Sequence, residues 1–396
     1  MSVRRPPRFF YGYAVVAAIF FTSLFMFGAF TSFGIFFKPM SSELGWTRAM
    51  TSGAFSLAYV VMGFGNFGAG RLTDRFGPKA VLVTCGLLLG LSYILMSQIG
   101  AIWQMYLFYG LLTGAGMSGG DTPVLATLAR WFVKRRGTFT GIAKLGAGVG
   151  ILTVPALVNW LILGSGWRQA FVIVSIISLV GVVTAAMFLK RDPAAVGQLP
   201  DGDTEMPEKK AGTGASRQFS LREVTGTSQF WIFAGVWFVL VFCVQVVLIH
   251  IANHVTDLGI SATVAAAVVS TIGGFSLLGR GGIGYLSDRI KPKYAFILAI
   301  VFLIGAMVLV QFARQAWAFY FFAAMYGVAH GAIFTVISPV LAELFGLRAI
   351  GSIIGAIIMV GTVGGAIGPL VAGRIFDVTG SYQAAFLIIL GFSIIA

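Results

Sequence analysis

The sequence predicts an all-α membrane protein: twelve transmembrane helices arranged as two pseudo-symmetric six-helix bundles. Three observations lead there. Of 396 residues, 58% are hydrophobic and only 10% charged, with a mean hydropathy of +0.93, too apolar for a chain that keeps its surface in water. Apolar runs recur along the chain at about 20 residues, the length a helix needs to cross ~30 Å of hydrocarbon. The two halves of the chain also resemble each other. No ten-residue alternation of the outer-membrane barrel type occurs, so the expected setting is an inner or plasma membrane.

The elements follow in order, each an apolar run bounded by charge, Pro or Gly. The opening "RRPPRFFYGYAVVAAIFFTSLF" has the basic flank of a signal peptide. Its apolar run nevertheless continues past Phe33 without a small-x-small cleavage site, so 11–37 is read as a first span and not a removable leader. Spans are expected next at 47–70, closed by "GRLTDRFGPK", then 79–99, 103–130, 136–164 and 167–189. A polar stretch from Lys190 to Glu223 holds Pro193, Pro200 and Pro207 and shows no apolar period, which reads as a linker. The second half is expected to span at 227–254, 260–286, 294–312, 316–342, 349–374 and 381–396. The last run is shorter than the others, which suggests that the chain is cut there. The domain organisation expected is 1–189, an N-terminal bundle; 190–223, a cytoplasmic linker; and 224–396, a C-terminal bundle.

Charge orients the bundle. Most of the 27 Lys and Arg fall on one side: Arg4, Arg5 and Arg8, the 71–79 loop, Arg130 with Lys134 to Arg136, the linker, and Arg289 with Lys291 and Lys293. The positive-inside rule makes that side cytoplasmic, with both termini there. The net charge of +14 is thus topological and does not imply a nucleic-acid partner. The two cysteines, Cys85 and Cys243, lie far apart and within spans, which supports neither a disulfide nor a metal site. "GAGMSG" (114–119) and "GRGGIG" (279–284) fit a Gly-x-Gly-x-x-Gly pattern, but no strand precedes them, so close helix packing and not a nucleotide cofactor is expected.

"GRLTDRFGPK" (70–79) aligns with "GYLSDRIKPK" (284–293) at an offset of 214 residues, which also relates Gly150 to Gly364 and Pro155 to Pro369. Tyr109 and the "PVLA" at Pro123 reappear, with a small slip, as Tyr326 and the "PVLA" at Pro339. A duplicated membrane bundle implies a transporter whose substrate site lies between the halves near mid-membrane.

On these residues the chain resembles the major facilitator superfamily, whose loop between helices two and three carries a motif met here by Gly70, Leu72, Asp74, Arg75, Gly77 and Lys79. Within it, "RWFVKRRGTFTGIAKLGAGVG" (130–150) is similar to the signature of monocarboxylate transporters, with Trp131 in place of Tyr and "TF" in place of "LA". The resemblance implies the major facilitator fold. It also implies a gate, formed by Gly70, Asp74 and Arg75, in which Asp74 meets the start of helix eleven near Gly351 and locks the cytoplasmic side.

Arg280 stands eight residues before Asp288, and so ~12 Å into the membrane. A guanidinium at that depth does not shed its proton, and its planar fork suits a carboxylate. The resemblance implies the same role, since the family has an arginine at this place in the eighth helix. Animal members carry an aspartate four residues earlier that serves proton coupling; here that position is Ser276. Asp121 and Lys144 fall at similar depth on consecutive helices, and read either as a proton-coupling group or as a static ion pair. His330 lies near mid-membrane on helix ten and is a third proton candidate. Leu145, Phe334 and Met359 are taken, by depth, to enclose the carbon body of the substrate.

The expected function is secondary active transport of a small monocarboxylate of the lactate or pyruvate type, in symport with one proton by alternating access, in a monomer within the lipid bilayer. The alternative is an oxalate/formate-type anion exchanger, in which Lys144 supplies a second cation. No enzyme constellation is present in the sequence, and no cofactor is expected.

Overall fold

The computed structural model describes residues 9–46, 48–203 and 219–396. Arg4, Arg5, Arg8, Pro207 and the linker lysines Lys209 and Lys210 lie outside the described residues.

In hydrocarbon every backbone N–H and C=O must be paired within its own segment, and the apolar runs accordingly fold as helices. Helix α1 is Gly12–Thr31, continued after Ser32 as Phe33–Leu44. It is followed by α2 (Arg48–Phe76) and α3 (Pro78–Met96). Arg136–Met187 is one helical run broken at Gly166, whose φ of 81° only glycine adopts without strain, and the two parts are α5 and α6. The second half contains α7 (Ser228–Asp257), α9 (Pro292–Phe312), α10 (Ala316–Phe345), α11 (Ile350–Thr379) and α12 (Gln383–Ile395).

Two spans depart from the uninterrupted helices that periodicity predicts. In the fourth, α4, Ile102–Met105 leads into a π segment, Tyr106–Thr113, and then Gly114–Met117. The chain turns through Ser118, Gly119 and Gly120 and restarts as Thr122–Trp131, with a proline in its first turn. Two consecutive glycines followed by Pro123 account for the break, since proline favours a first turn and cannot continue a ladder. In α8, Ala262–Leu278 passes through a π segment, Gly279–Ile283, into Gly284–Ile290. Arg280 lies in that widened turn.

Seven helical runs among the described residues are long and apolar enough to cross a membrane on length and composition alone. One of these contains both α5 and α6. The other spans, α2, α4, α8 and α12, are the ones with embedded polar residues, breaks or fewer turns.

Buried apolar side chains form two clusters. One is built from Val15 to Leu189; the other from Val224 to Ile389, joined by Leu125, Ala126 and Ala129 of α4. Where helices from different clusters cross, small residues allow the backbones to touch. A Cβ on Gly70 (α2) would meet the Gly351 carbonyl (α11), and one on Gly284 (α8) would lie 2.7 Å from the Gly137 carbonyl (α5). Between helices in lipid such packing replaces the hydrophobic drive available in water. The glycines of 114–119 follow this pattern against α2 and α3, as do Gly279 and Gly284, but Gly281 and Gly282 face open space. The expectation that those two glycines allow close packing is therefore corrected: the Gly281 backbone lies beside Gly141 of α5, but a Cβ on either Gly281 or Gly282 would point into open space.

Candidate functional site

The sequence repeat reappears as paired geometry. At the end bearing the α2–α3 and α8–α9 turns, called here the motif end, Asp74 accepts hydrogen bonds from the Ser352 N–H at 2.8 Å, the Ser352 hydroxyl at 2.8 Å and the Gly351 N–H at 3.2 Å. Its carboxylate thus caps the N-terminus of α11, where unpaired N–H groups and the helix dipole attract an anion. Arg130 of α4 donates to the same carboxylate at 2.7 Å.

Offset by 214 residues, Asp288 caps α5: it accepts from the Gly137 N–H at 2.6 Å, the Thr138 N–H at 2.7 Å and the Thr138 hydroxyl at 2.6 Å. Asp288 has no ion-pair partner among the described residues. Ser338 of α10 adds a hydrogen bond to the Leu125 carbonyl of α4 at 3.1 Å. Arg75 is exposed and lies over the Phe76 ring, 5.0 Å from its centroid, while Arg130 makes the ion pair with Asp74. Neither Arg130 nor Asp288 was singled out from the sequence, although the alignment of 284–293 with 70–79 already matched Asp288 to Asp74.

Deeper in the bundle, Arg280 is 7% exposed. Its Nε is buried without a partner, and the guanidinium has neither a hydrogen bond nor an ion pair among the described residues. The α8 backbone beneath it is fixed by Gly141 of α5, where a Cβ would strike the Arg280 carbonyl. The repeat counterpart of Arg280 is Asn66, and the counterpart of Gly141, Gly355, packs on the Asn66 carbonyl in the same way. Asn66 is satisfied locally: it donates to the Met62 carbonyl at 2.9 Å and accepts from Thr122 at 3.0 Å.

Lys144, 3% exposed, is ion-paired with Asp121, 28% exposed, and its ammonium stands 5.3 Å from the centroid of the Phe27 ring. Asp121 occupies the cap position before Thr122, yet its side chain makes no cap bond, because the carboxylate is engaged by Lys144. Asp121 lies within electrostatic reach of Arg280 and of Tyr59 of α2. His330 of α10 lies within reach of Arg280; its Nδ1 is buried without a partner, and its ring is 5.4 Å from that of Phe334. Leu145, next to Lys144 on α5, and Met359 on α11 are half-buried. Arg280, Asp121, Lys144, His330 and Phe334 are thus brought into one neighbourhood. Cys85 and Cys243 are free and buried, and the described residues contain no cluster of three or more His, Cys, Asp or Glu that could hold a metal.

Residues 19–313 and 253–396 match the family profile described as the Major Facilitator Superfamily. The chain is 29% identical over 389 residues to a Bos taurus protein named monocarboxylate transporter 13, covering 97% of this chain and 87% of that one. It is 23% identical over 399 residues to Homo sapiens monocarboxylate transporter 2, covering 97% and 84%. Its fold superimposes on the crystal structure of the human organic anion transporter MFSD10 (TETRAN) with a TM-score of 0.75 at 16% identity, covering 99% of both chains.

Proposed function

The chain belongs to the major facilitator superfamily and is a membrane transporter related to the monocarboxylate transporters, and from that premise we propose that it moves a small monocarboxylate together with a proton by alternating access. The observation that carries the reading is the buried, partnerless guanidinium of Arg280. An unpaired charge in hydrocarbon costs several kcal/mol unless an anion meets it, and a carboxylate meets the guanidinium fork with two parallel bonds. Leu145, Phe334 and Met359 enclose the short carbon body, which a shallow apolar wall accommodates and a long chain does not.

Charge balance ties the proton to the anion. Asp121 and His330 are titratable groups within reach of Arg280, and protonation of either one as the anion enters leaves the net charge of the loaded carrier equal to that of the empty one. With the motif end cytoplasmic, the two carboxylate caps and the glycine crossings hold that side shut, and the chain rests facing outward. Rocking of the 1–189 bundle against the 224–396 bundle, joined by the 190–223 linker, then breaks both caps together. Exchange of oxalate for formate is the weaker reading, because the second cation it requires, Lys144, is already held by Asp121.

The test is uptake of labelled lactate into proteoliposomes with and without an inward proton gradient. The expected result is gradient-stimulated uptake that Arg280→Ala abolishes and Arg280→Lys lowers ~30- to 150-fold, equivalent to ~2–3 kcal/mol for the lost second bond and planar fit. Uptake that ignores the gradient refutes symport, and full activity in Arg280→Ala refutes the site.

A further inference from the structure

We propose that Asp121 sets the charge of the cargo: by occupying Lys144 it leaves the centre with one net positive charge and restricts the site to monoanions. The inference rests on the reading of Arg280 as the carboxylate site.

Three ionic groups are linked through Asp121, which is ion-paired with Lys144 and lies within electrostatic reach of Arg280. The remaining titratable neighbours are His330 on α10, facing Arg280, and Tyr59 on α2, facing Asp121. Tyr59 accepts a hydrogen bond from Gln245 of α7 at 2.6 Å. A monoanion completes this set to neutrality, whereas a dianion faces a surplus negative charge in a medium where unit charges interact strongly.

The pair is not required by the fold. Aligning "PVLA" at Pro123 with "PVLA" at Pro339 puts Asp121 opposite Ile337, and the 214-residue offset puts Lys144 opposite Ile358. Isoleucine occupies both places in the second bundle, Ile337 buried and Ile358 half-buried. Arg280 likewise faces Asn66 across the repeat. The three central charges are therefore among the positions where the duplicated bundles differ in chemistry while their carboxylate caps remain alike. Asp121 also stands at a helix start without making the cap bond usual for an aspartate there, so local stability is given up to hold Lys144.

The test measures binding of lactate, oxalate and malonate to purified protein by calorimetry, with uptake into proteoliposomes alongside. Wild type is expected to prefer lactate. Asp121→Asn frees Lys144 and is expected to shift the oxalate-to-lactate affinity ratio by roughly tenfold or more toward the dianion. Asp121→Asn/Lys144→Gln restores one net positive charge and is expected to return the ratio to within about threefold of wild type. Lys144→Gln alone leaves an uncompensated carboxylate and is expected to weaken lactate binding about tenfold, a loss the double variant reverses; this comparison stands even where Asp121→Asn does not fold. A ratio unchanged in Asp121→Asn, a dianion gain that persists in the double variant, or equal losses in all three variants overturns the proposal. Arg280→Ala separates the two claims: if it loses lactate while Asp121→Asn leaves the ratio unchanged, the carboxylate site stands and charge setting falls. If Arg280→Ala binds all three acids as wild type does, both fall.

Discussion

Replacing Asp74 by Asn tests the two-cap account of the closed motif end. The substitution keeps an acceptor oxygen but removes the charge that Arg130 and the α11 N-terminus share. A hydrogen bond to a charged group is worth ~1.5–3 kcal/mol, and an anion at a helix N-terminus ~0.3–2 kcal/mol in partly buried geometry. Together the loss is ~3 kcal/mol, or ~150-fold in the ratio of closed to open motif ends. Asp288→Asn removes only the dipole and the charge-assisted part of the bonds to Gly137 and Thr138, ~1.5 kcal/mol or ~10-fold. A single reporter cysteine reads both. In a background without Cys85 and Cys243, Ser338→Cys is wholly buried against Leu125 of α4 while the motif end is shut. Its rate of maleimide labelling is expected to rise ~100-fold in Asp74→Asn and ~10-fold in Asp288→Asn. Labelling no faster than the parent, or a larger effect from Asp288 than from Asp74, refutes the reasoning.

Other outcomes follow from single positions. Gly70→Val places a side chain against the Gly351 carbonyl, a backbone atom that does not yield; the expected cost is ~1–3 kcal/mol, seen as a lowered melting temperature and faster labelling of the same reporter. Lys291 adopts φ 75° and ψ 144°, where its counterpart is Gly77 with φ 84°; Lys291→Gly relieves strain of ~1 kcal/mol, and a melting temperature that does not rise refutes this. At the far end, the Trp167 indole N–H donates to Glu43 at 2.6 Å and Arg168 pairs with it, holding the Glu43 carboxyl below its ordinary range, the indole contributing most. A depressed value stabilises the folded state above the unfolded-state pKa of about 4.3 and loses that effect as pH falls through the folded value. Melting temperature is thus expected to drop more between about pH 5 and about pH 3 in the wild type than in Glu43→Gln.

The helical spans were legible because lipid leaves a chain few options: apolar length gives the span, and charge or proline gives its end. The interruption of α4 was legible in "SGGDTP", yet hydropathy averaged over twenty residues passes across it. The π turn that carries Arg280 has no signature of its own in composition, since it depends on how α8 lies against Gly141 and Gly331. The sequence singled out Asp74, Asp121, Lys144 and Arg280 because ionic groups are rare in so apolar a chain. It did not single out Arg130 as the partner of Asp74, because an arginine at a helix end already has an explanation in topology. Partnership is a matter of which helices cross, and only the fold decides that.

The two crossings at the motif end join the same pair of surfaces twice: the 70–77 turn with the start of α11, and the 284–291 turn with the start of α5. Each surface occurs once in each half, so the closure has the geometry of an isologous dimer contained in one chain. A half-length ancestor bearing this turn and this helix start would have closed against a copy of itself with the same hydrogen bonds. The two halves nevertheless carry Asn66 and Arg280 at matching positions, so the molecule is symmetric where it closes and asymmetric at its centre.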